Sequence, residues 1–429
     1  MKRVHLLLMC SILLYMYTGS LKNKESDQTQ STVTHASTSK DNTYNDLVKK
    51  VHDSVGQSNV NRSQSKSRSI KYLGNNILEY ITLSIPTLDH EDKKIERDAL
   101  LMIRPKAEAT VLICHGFMCD KYDIGFLRFI FSDYNVMTFD FRAHGAKADG
   151  QCCTFGAQER LDVRAAVECI KNHAALKDKP LIVYGFSMGA AASILAQAED
   201  PTLFEAMILD CPFDSTDNIL ERGLSEMKFN LFGYEMPLMS LPGSSYLKSY
   251  AYTPYVQAAL KYFLKTIAKL DASQVVTCIE PVSPVEDIKK VTVPCLIIGC
   301  INDEKVPVKA LLQVFNNAGS DNVKCWITKG VRHYDSVFHN PELYAYKVNQ
   351  FIKKLVRGSL RNTNRRKILY DDPAWKEELK KKEEEAQEAS QQTQLDTLQK
   401  QIHNFGPNAL KKNTFGPHQL DNFTSITLY

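Results

Sequence analysis

The sequence predicts an α/β protein: a mostly parallel central sheet of about eight strands flanked by helices. Three observations predict it. Short apolar runs alternate with helix-like stretches across residues 70–357. Several of those runs are β-branched or apolar at every position, as expected of strands covered on both faces. One long interval, rich in aromatics and methionine, then breaks the rhythm.

In order, the strands read as Leu78–Ile85, Ala99–Arg104, Thr110–His115, Asn135–Asp140, Pro180–Gly185, Ala206–Asp210, Pro294–Cys300 and Val323–Thr328. The first two have no helix between them and so predict an antiparallel hairpin at one edge of the sheet. Helices are predicted over Phe126–Ser132, Gln158–His173, Met188–Gln197, Lys309–Asn317 and Pro341–Val356. Between Asp210 and Pro294 no clear strand is legible. The interval reads as a helical cap, about residues 214–290, inserted before the seventh strand and supplying an apolar binding surface. Ordinary core packing of the same residues is the competing reading.

The flanks differ in composition. Met1-Lys2-Arg3, the apolar stretch Val4–Tyr17 and the small residues Thr18-Gly19-Ser20 make residues 1–20 a signal peptide or an uncleaved N-terminal anchor. The apolar stretch is shorter than the roughly 20 residues of a membrane span, and Met9 before Cys10 argues against lipidation. The chain is therefore expected to be exported or associated with a membrane through this segment. Residues 21–69 are polar enough to form a linker. Residues 358–429 read as a charged tail whose Glu/Lys-rich stretch from Trp375 suits a solvated helix or a short coiled coil, a candidate surface for a protein partner. The repeated Asn404-Phe-Gly-Pro and Thr414-Phe-Gly-Pro have no assigned role.

A net charge of +4 over 429 residues, with no concentrated basic patch, argues against a nucleic-acid partner. The 11 cysteines conflict with the leader. Cys114, Cys295, Cys300 and Cys325 lie in strand-like runs and read as buried free thiols, and Cys152-Cys153 as loop thiols. No CxxC metal pattern or secreted disulfide framework is visible, which suits a reducing site of action.

The chemistry concentrates in Gly185-Phe186-Ser187-Met188-Gly189. An apolar run precedes this pentapeptide and an Ala-rich helix follows it, the setting in which a sharp turn thrusts a serine hydroxyl out at the carboxyl end of a strand. The turn demands small neighbours, and Gly185 and Gly189 supply them. A serine needs a base to take its proton. His333, just past the last predicted strand, fills that role, with His339 as runner-up. The carboxylate orienting the base should follow the preceding strand, where Asp303 stands, and Glu304 beside it reads as a loop charge. Backbone N–H groups of Phe117 and Met188 are the expected oxyanion donors. Gly116 supports that loop, and His115 reads as a structural histidine packed beneath it. No metal and no cofactor is required.

Four further pieces match a known pattern: His115-Gly-Phe117, Asp140-Phe-Arg-Ala-His-Gly145, Asn302-Asp-Glu-Lys-Val-Pro307 and Arg332-His-Tyr-Asp-Ser336. With these, the chain resembles the α/β-hydrolase superfamily from about Ile77 to Leu355, most closely its serine aminopeptidase-like and monoacylglycerol lipase-like branch. The resemblance implies the α/β-hydrolase fold, hydrolase activity and structural roles for Glu159 and Asp162. Ala143 stands where that family usually has glycine. The expected reaction is hydrolysis of a carboxylic ester or thioester, with a small-molecule or lipid acyl substrate. Peptide or amide cleavage is the alternative, for which Glu221, Glu226 or Glu235 in the cap would have to receive an amino terminus. A non-catalytic hydrolase-like binding module is the third reading.

Overall fold

In the computed structural model, residues 79–226 are described apart from 90, 91 and 149, as are the backbone of 228–231 and 234–237, residues 277–360 apart from 331, residues 366–381 and a few positions up to 392. The leader, the linker and much of the cap and tail lie outside the described residues.

The chain enters through β1 (Glu79–Leu88) and β2 (Lys94–Ile103), which pair antiparallel as the sequence predicts. Then follow β3 (Thr110–Cys114), α1 (Leu127–Ile130), β4 (Asn135–Phe139), α2 (Glu159–Asn172), β5 (Leu181–Phe186), α3 (Met188–Glu199) and β6 (Ala206–Asp210). After α4 (Thr216–Glu226), β7 (Lys228–Leu231) and β8 (Tyr234–Pro237) form a separate antiparallel hairpin. The reading of the cap as strandless is thus corrected: four-residue strands are too short for alternation to register. The chain returns through α5 (Pro284–Asp287), β9 (Cys295–Cys300), α6 (Val308–Asn317), β10 (Val323–Thr328), α7 (Ser336–His339) and α8 (Pro341–Val356) to β11 (Lys367–Tyr370).

Among the described residues, nine strands make the main sheet, in the order β1-β2-β4-β3-β5-β6-β9-β10-β11. The ninth, β11, comes from residues expected to be tail. Its four residues are at most half-buried, so no continuous apolar run announces it. The inner strands β3, β4, β5, β6 and β9 are buried at every position, because helices cover both faces. From β3 the chain passes to β4 on one side, then to β5 on the other. Such a reversal opens a crevice at the carboxyl ends of the two strands. Cys114 pairs with Gly185 at that end, so the segments after β3 and β5 leave the sheet side by side.

The chain divides into two compact units, Met1–Leu369 and Tyr370–Tyr429. In the second, the side chain of Asp372 accepts from the N–H of Ala374 at the start of a helix over 374–381. Exposed pairs Lys380–Glu384 and Lys381–Glu385 line it, at the i,i+4 spacing read from the sequence.

Cys152 is disulfide-bonded to Cys278 and not a loop thiol, a correction that sequence spacing could not supply because 126 residues separate the two. The neighbouring strand-like contact of Cys153 with Thr277 and the hydrogen bond from Cys278 N–H to Cys153 O (2.9 Å) hold the two segments together. Cys114, Cys295, Cys300 and Cys325 are buried and free, as expected.

Candidate active site

Ser187 is the one half-buried residue in a run from Leu181 to Ala190 that is otherwise buried. It sits at the N-terminal cap of α3 with φ 51° and ψ −111°, a strained conformation for a residue with a Cβ. Two contacts hold it there. Its N–H donates to Asp210 O (2.8 Å), and its C=O accepts from Ala191 N–H (3.1 Å). The flanking glycines are a steric necessity. A Cβ on Gly189 would stand 2.2 Å from Cys114 O, and one on Gly185 would stand 2.6 Å from the Cα of Ala190. The elbow therefore wedges α3 against the end of β3. The hydroxyl of Ser193 donates to Gly189 O (2.7 Å), fastening the first turn of that helix.

Asp303 follows β9 and is buried. Its Oδ1 accepts from the N–H groups of Lys305 and Val306 (both 2.9 Å), and its Oδ2 lies 2.7 Å from Nδ1 of His333. Burial pulls this carboxyl upward, but the hydrogen bond and charge of His333, with the two N–H groups, hold it below its ordinary value. An ionised Asp303 keeps the proton on Nδ1 and leaves Nε2 of His333 free to accept one. The His333 ring packs on Phe186, the residue before Ser187, at 5.1 Å between centroids. The structure thus joins Asp303 to His333 directly, and sets the His333 ring against the residue that precedes Ser187 in the chain. His339 lies exposed at the end of α7.

The loop after β3 is built from the buried histidines and acids of the matching motifs. His115 Nδ1 lies 2.8 Å from Gly116 O, and its Nε2 accepts from Phe141 N–H (3.0 Å). Both ring nitrogens are committed, and burial holds this imidazole well below its ordinary pKa. His144 is likewise spent, on Arg142 O (2.8 Å) and on Met118 N–H (3.1 Å), and burial lowers it to about 4. A Cβ on Gly116 would meet the Phe186 ring at 2.6 Å, so only glycine lets the loop lie on the elbow. The Phe117 ring contacts His144 and Phe155. Met188 is buried, its Sδ 3.3 Å from Cys153 Sγ. Among the described residues, the N–H groups of Phe117 and Met188 donate to no protein acceptor.

Three buried acids each hold a different segment. Asp162 takes Nε and Nη2 of Arg142 (3.0 and 2.7 Å) and the Arg142 N–H (2.9 Å). Glu159 accepts from Thr154 N–H (2.9 Å), the Thr154 hydroxyl (2.7 Å) and Gly156 N–H (2.7 Å). Asp140 accepts from Lys121 N–H (2.8 Å) and pairs with its ammonium. Ala143 has φ 61°, the left-handed region that explains the family's glycine there.

A cluster of Asp210 with Tyr184, Tyr334 and Tyr344, not legible in the sequence, lies beside Phe186 and the His333 turn. The only signal was an acid closing an apolar run, Ala206-Met-Ile-Leu-Asp210. Asp140 closes another such run.

A serine at a strained strand-to-helix elbow, an Asp–His pair after β9 and β10 and this sheet order define an α/β-hydrolase. The description "Serine aminopeptidase, S33" matches residues 105–338, and the chain belongs to that family. Protein bem46 of Schizosaccharomyces pombe is 26% identical over 149 residues, which cover 33% of this chain and 48% of that protein. The chain thus spans about half the length of this curated relative. Among solved structures, the Pyrococcus furiosus esterase Pf2001 aligns at 20% identity and TM-score 0.47, covering 68% of this chain and 100% of that one. A 2,6-dihydroxy-pseudo-oxynicotine hydrolase aligns at 14% and 0.46, covering 67% and 71%. Likeness at this level says nothing about substrate.

Proposed function

We propose that this hydrolase cleaves a carboxylic ester or thioester through Ser187, His333 and Asp303. The observation that carries the reading is the Asp303–His333 bond, which orients an imidazole packed on the residue before Ser187. Ser187 Oγ attacks the acyl carbon while Nε2 of His333 takes its proton. The developing oxyanion is received by the N–H groups of Phe117 and Met188. His333 then gives the proton to the leaving oxygen or sulfur, and the acyl group stays on Ser187. Water, deprotonated by the same imidazole, releases the acid and restores the serine.

An apolar acyl group is favoured by the half-buried Phe155, Ile219 and Val282. They pack against Ala191, Phe213, Val306 and Ala310, several of which follow strand ends beside the site. The family's description favours the second reading, amide or peptide cleavage. The acidic candidates divide: Glu221 is half-buried on α4, while the side chains of Glu226 and Glu235 lie outside the described residues.

A fluorophosphonate probe tests the chemistry. Labelling that disappears in Ser187→Ala supports it, whereas labelling that persists there refutes it. Hydrolysis of p-nitrophenyl esters of rising chain length, set beside aminoacyl amides, separates ester from amide. Export is proposed on the leader, and Cys152–Cys278 favours an oxidising destination over the reducing one read from the free thiols. Among the described residues no helix is long and apolar enough to cross a membrane.

A further inference from the structure

Asp210 ends β6, the strand beside the nucleophile's, and the steps above make no use of its side chain. That carboxylate is fully buried among apolar strands. Its Oδ2 accepts from the hydroxyls of Tyr344 (2.6 Å) and Tyr184 (3.0 Å), and its Oδ1 lies 3.3 Å from the Cys211 thiol. Among the described residues no lysine or arginine pairs with it. A buried carboxylate is costly, and a hydrocarbon side chain could fill the same space, so its presence calls for a use.

The phenols lead to the base. Tyr184 comes from β5 and Tyr344 from α8, and their hydroxyls are 2.9 Å apart. The Tyr184 hydroxyl also lies 3.4 Å from that of Tyr334, the residue after His333. Tyr334 is held at φ 69° and its ring stacks on Phe186 at 3.8 Å between centroids. Phe186 in turn faces the His333 ring. Asp210 therefore braces the turn carrying the base through its side chain, and holds the Ser187 N–H through its carbonyl. The titratable groups around it are Tyr184, Tyr334 and Tyr344, the thiols of Cys211 and Cys300, His333 and Asp303.

We propose that Asp210 is a positioning residue of this site, fixing the His333 turn through Tyr184, Tyr344 and Tyr334 and supplying a second buried negative charge that favours the imidazolium formed during the reaction. The inference rests on the Ser187–His333–Asp303 reading. Burial raises the Asp210 carboxyl to about 6, against the hydrogen bonds of Tyr344, Cys211 and Tyr184 and the charge of His333. At neutral pH it is mainly a carboxylate, and in mild acid its charge is lost.

The test uses full-length protein: wild type, Asp210→Asn and Tyr344→Phe. Two readouts apply, NMR titration of the His333 imidazole and the pH profile of fluorophosphonate labelling. In Asp210→Asn the His333 imidazole loses a facing negative charge, and its titration should move to lower pH than in the wild type. The acid limb of labelling should become shallower and shift the same way, with a rate about tenfold lower at neutral pH. Tyr344→Phe should move both in the same direction by less, and it decides the matter if Asp210→Asn does not fold. An unchanged His333 titration overturns the proposal. So does a lower rate with an unaltered pH profile, the signature of a purely structural role. A titration that differs between wild type and Asp210→Asn, with no labelling of the wild type by the probe, would overturn the Ser187 reading and leave the coupling standing.

Discussion

Nδ1 of His333 lies 2.7 Å from Oδ2 of Asp303, while the other oxygen of that carboxylate is committed to the N–H groups of Lys305 and Val306. The acid therefore cannot turn away from the base without giving up two backbone hydrogen bonds. An amide in its place could point an N–H at Nδ1 and select the wrong tautomer. Asp303→Asn should lower the rate of fluorophosphonate labelling by about 10³–10⁴-fold while thermal stability changes little. His339→Ala should label at the wild-type rate, and a large loss there would reassign the base.

Two small residues near the elbow should respond in opposite directions. Gly189→Ala forces a Cβ into the carbonyl of Cys114, so it should destabilise the fold by at least about 1–3 kcal/mol and reduce labelling. Ala143→Gly relieves a left-handed alanine. Its strain of about 1–2 kcal/mol exceeds the entropy that glycine adds to the unfolded chain, for a net gain of about 0.5–1 kcal/mol. Urea unfolding midpoints measure both, and a destabilised Ala143→Gly would contradict the strain argument.

The disulfide between Cys152 and Cys278 closes a long loop that includes the elbow and the cap. Cys278→Ser should lower stability by about 2–5 kcal/mol under non-reducing conditions. With reductant present, the wild type should melt together with the variant. Identical melting of the two without reductant would show that the bond contributes nothing.

The buried imidazoles should lower stability in mild acid. The unfolded chain protonates its histidines near about pH 6.5. Folded His144 resists until about 4, and His115 is also held well below its ordinary value, because burial disfavours both imidazolium ions. Between those limits the unfolded state binds more protons at these two groups, so their contribution to stability drops as pH falls. Asp210 acts the other way, since its folded carboxyl takes up a proton at about 6, before the unfolded one does. Burial raises the carboxyls of Asp140 and Glu159 as well, and they act in the same sense as Asp210, so the variant of His144 isolates the imidazole contribution. In chemical unfolding at pH 7.5, 6 and 5, His144→Gln should gain stability relative to the wild type as pH falls.

Most of the elements of the main sheet, and the chain order of the candidate chemical groups, were legible in the sequence. The apolar run, Gly185-Phe-Ser-Met-Gly189 and the Ala-rich helix were legible because strand, turn and helix are local preferences, and Pro341–Val356 was readable residue for residue. The positions of Asp303 and His333 followed from chain order alone. Which groups meet became visible once the chain was folded. Asp303 reaches across 30 residues to His333, Tyr344 across 134 to Asp210 and Cys152 across 126 to Cys278. Periodicity reports which face of an element is buried and carries no information about what lies opposite. The short strands β7, β8 and β11 escaped for a related reason: too few residues to repeat a pattern, and a pairing set by distant backbone.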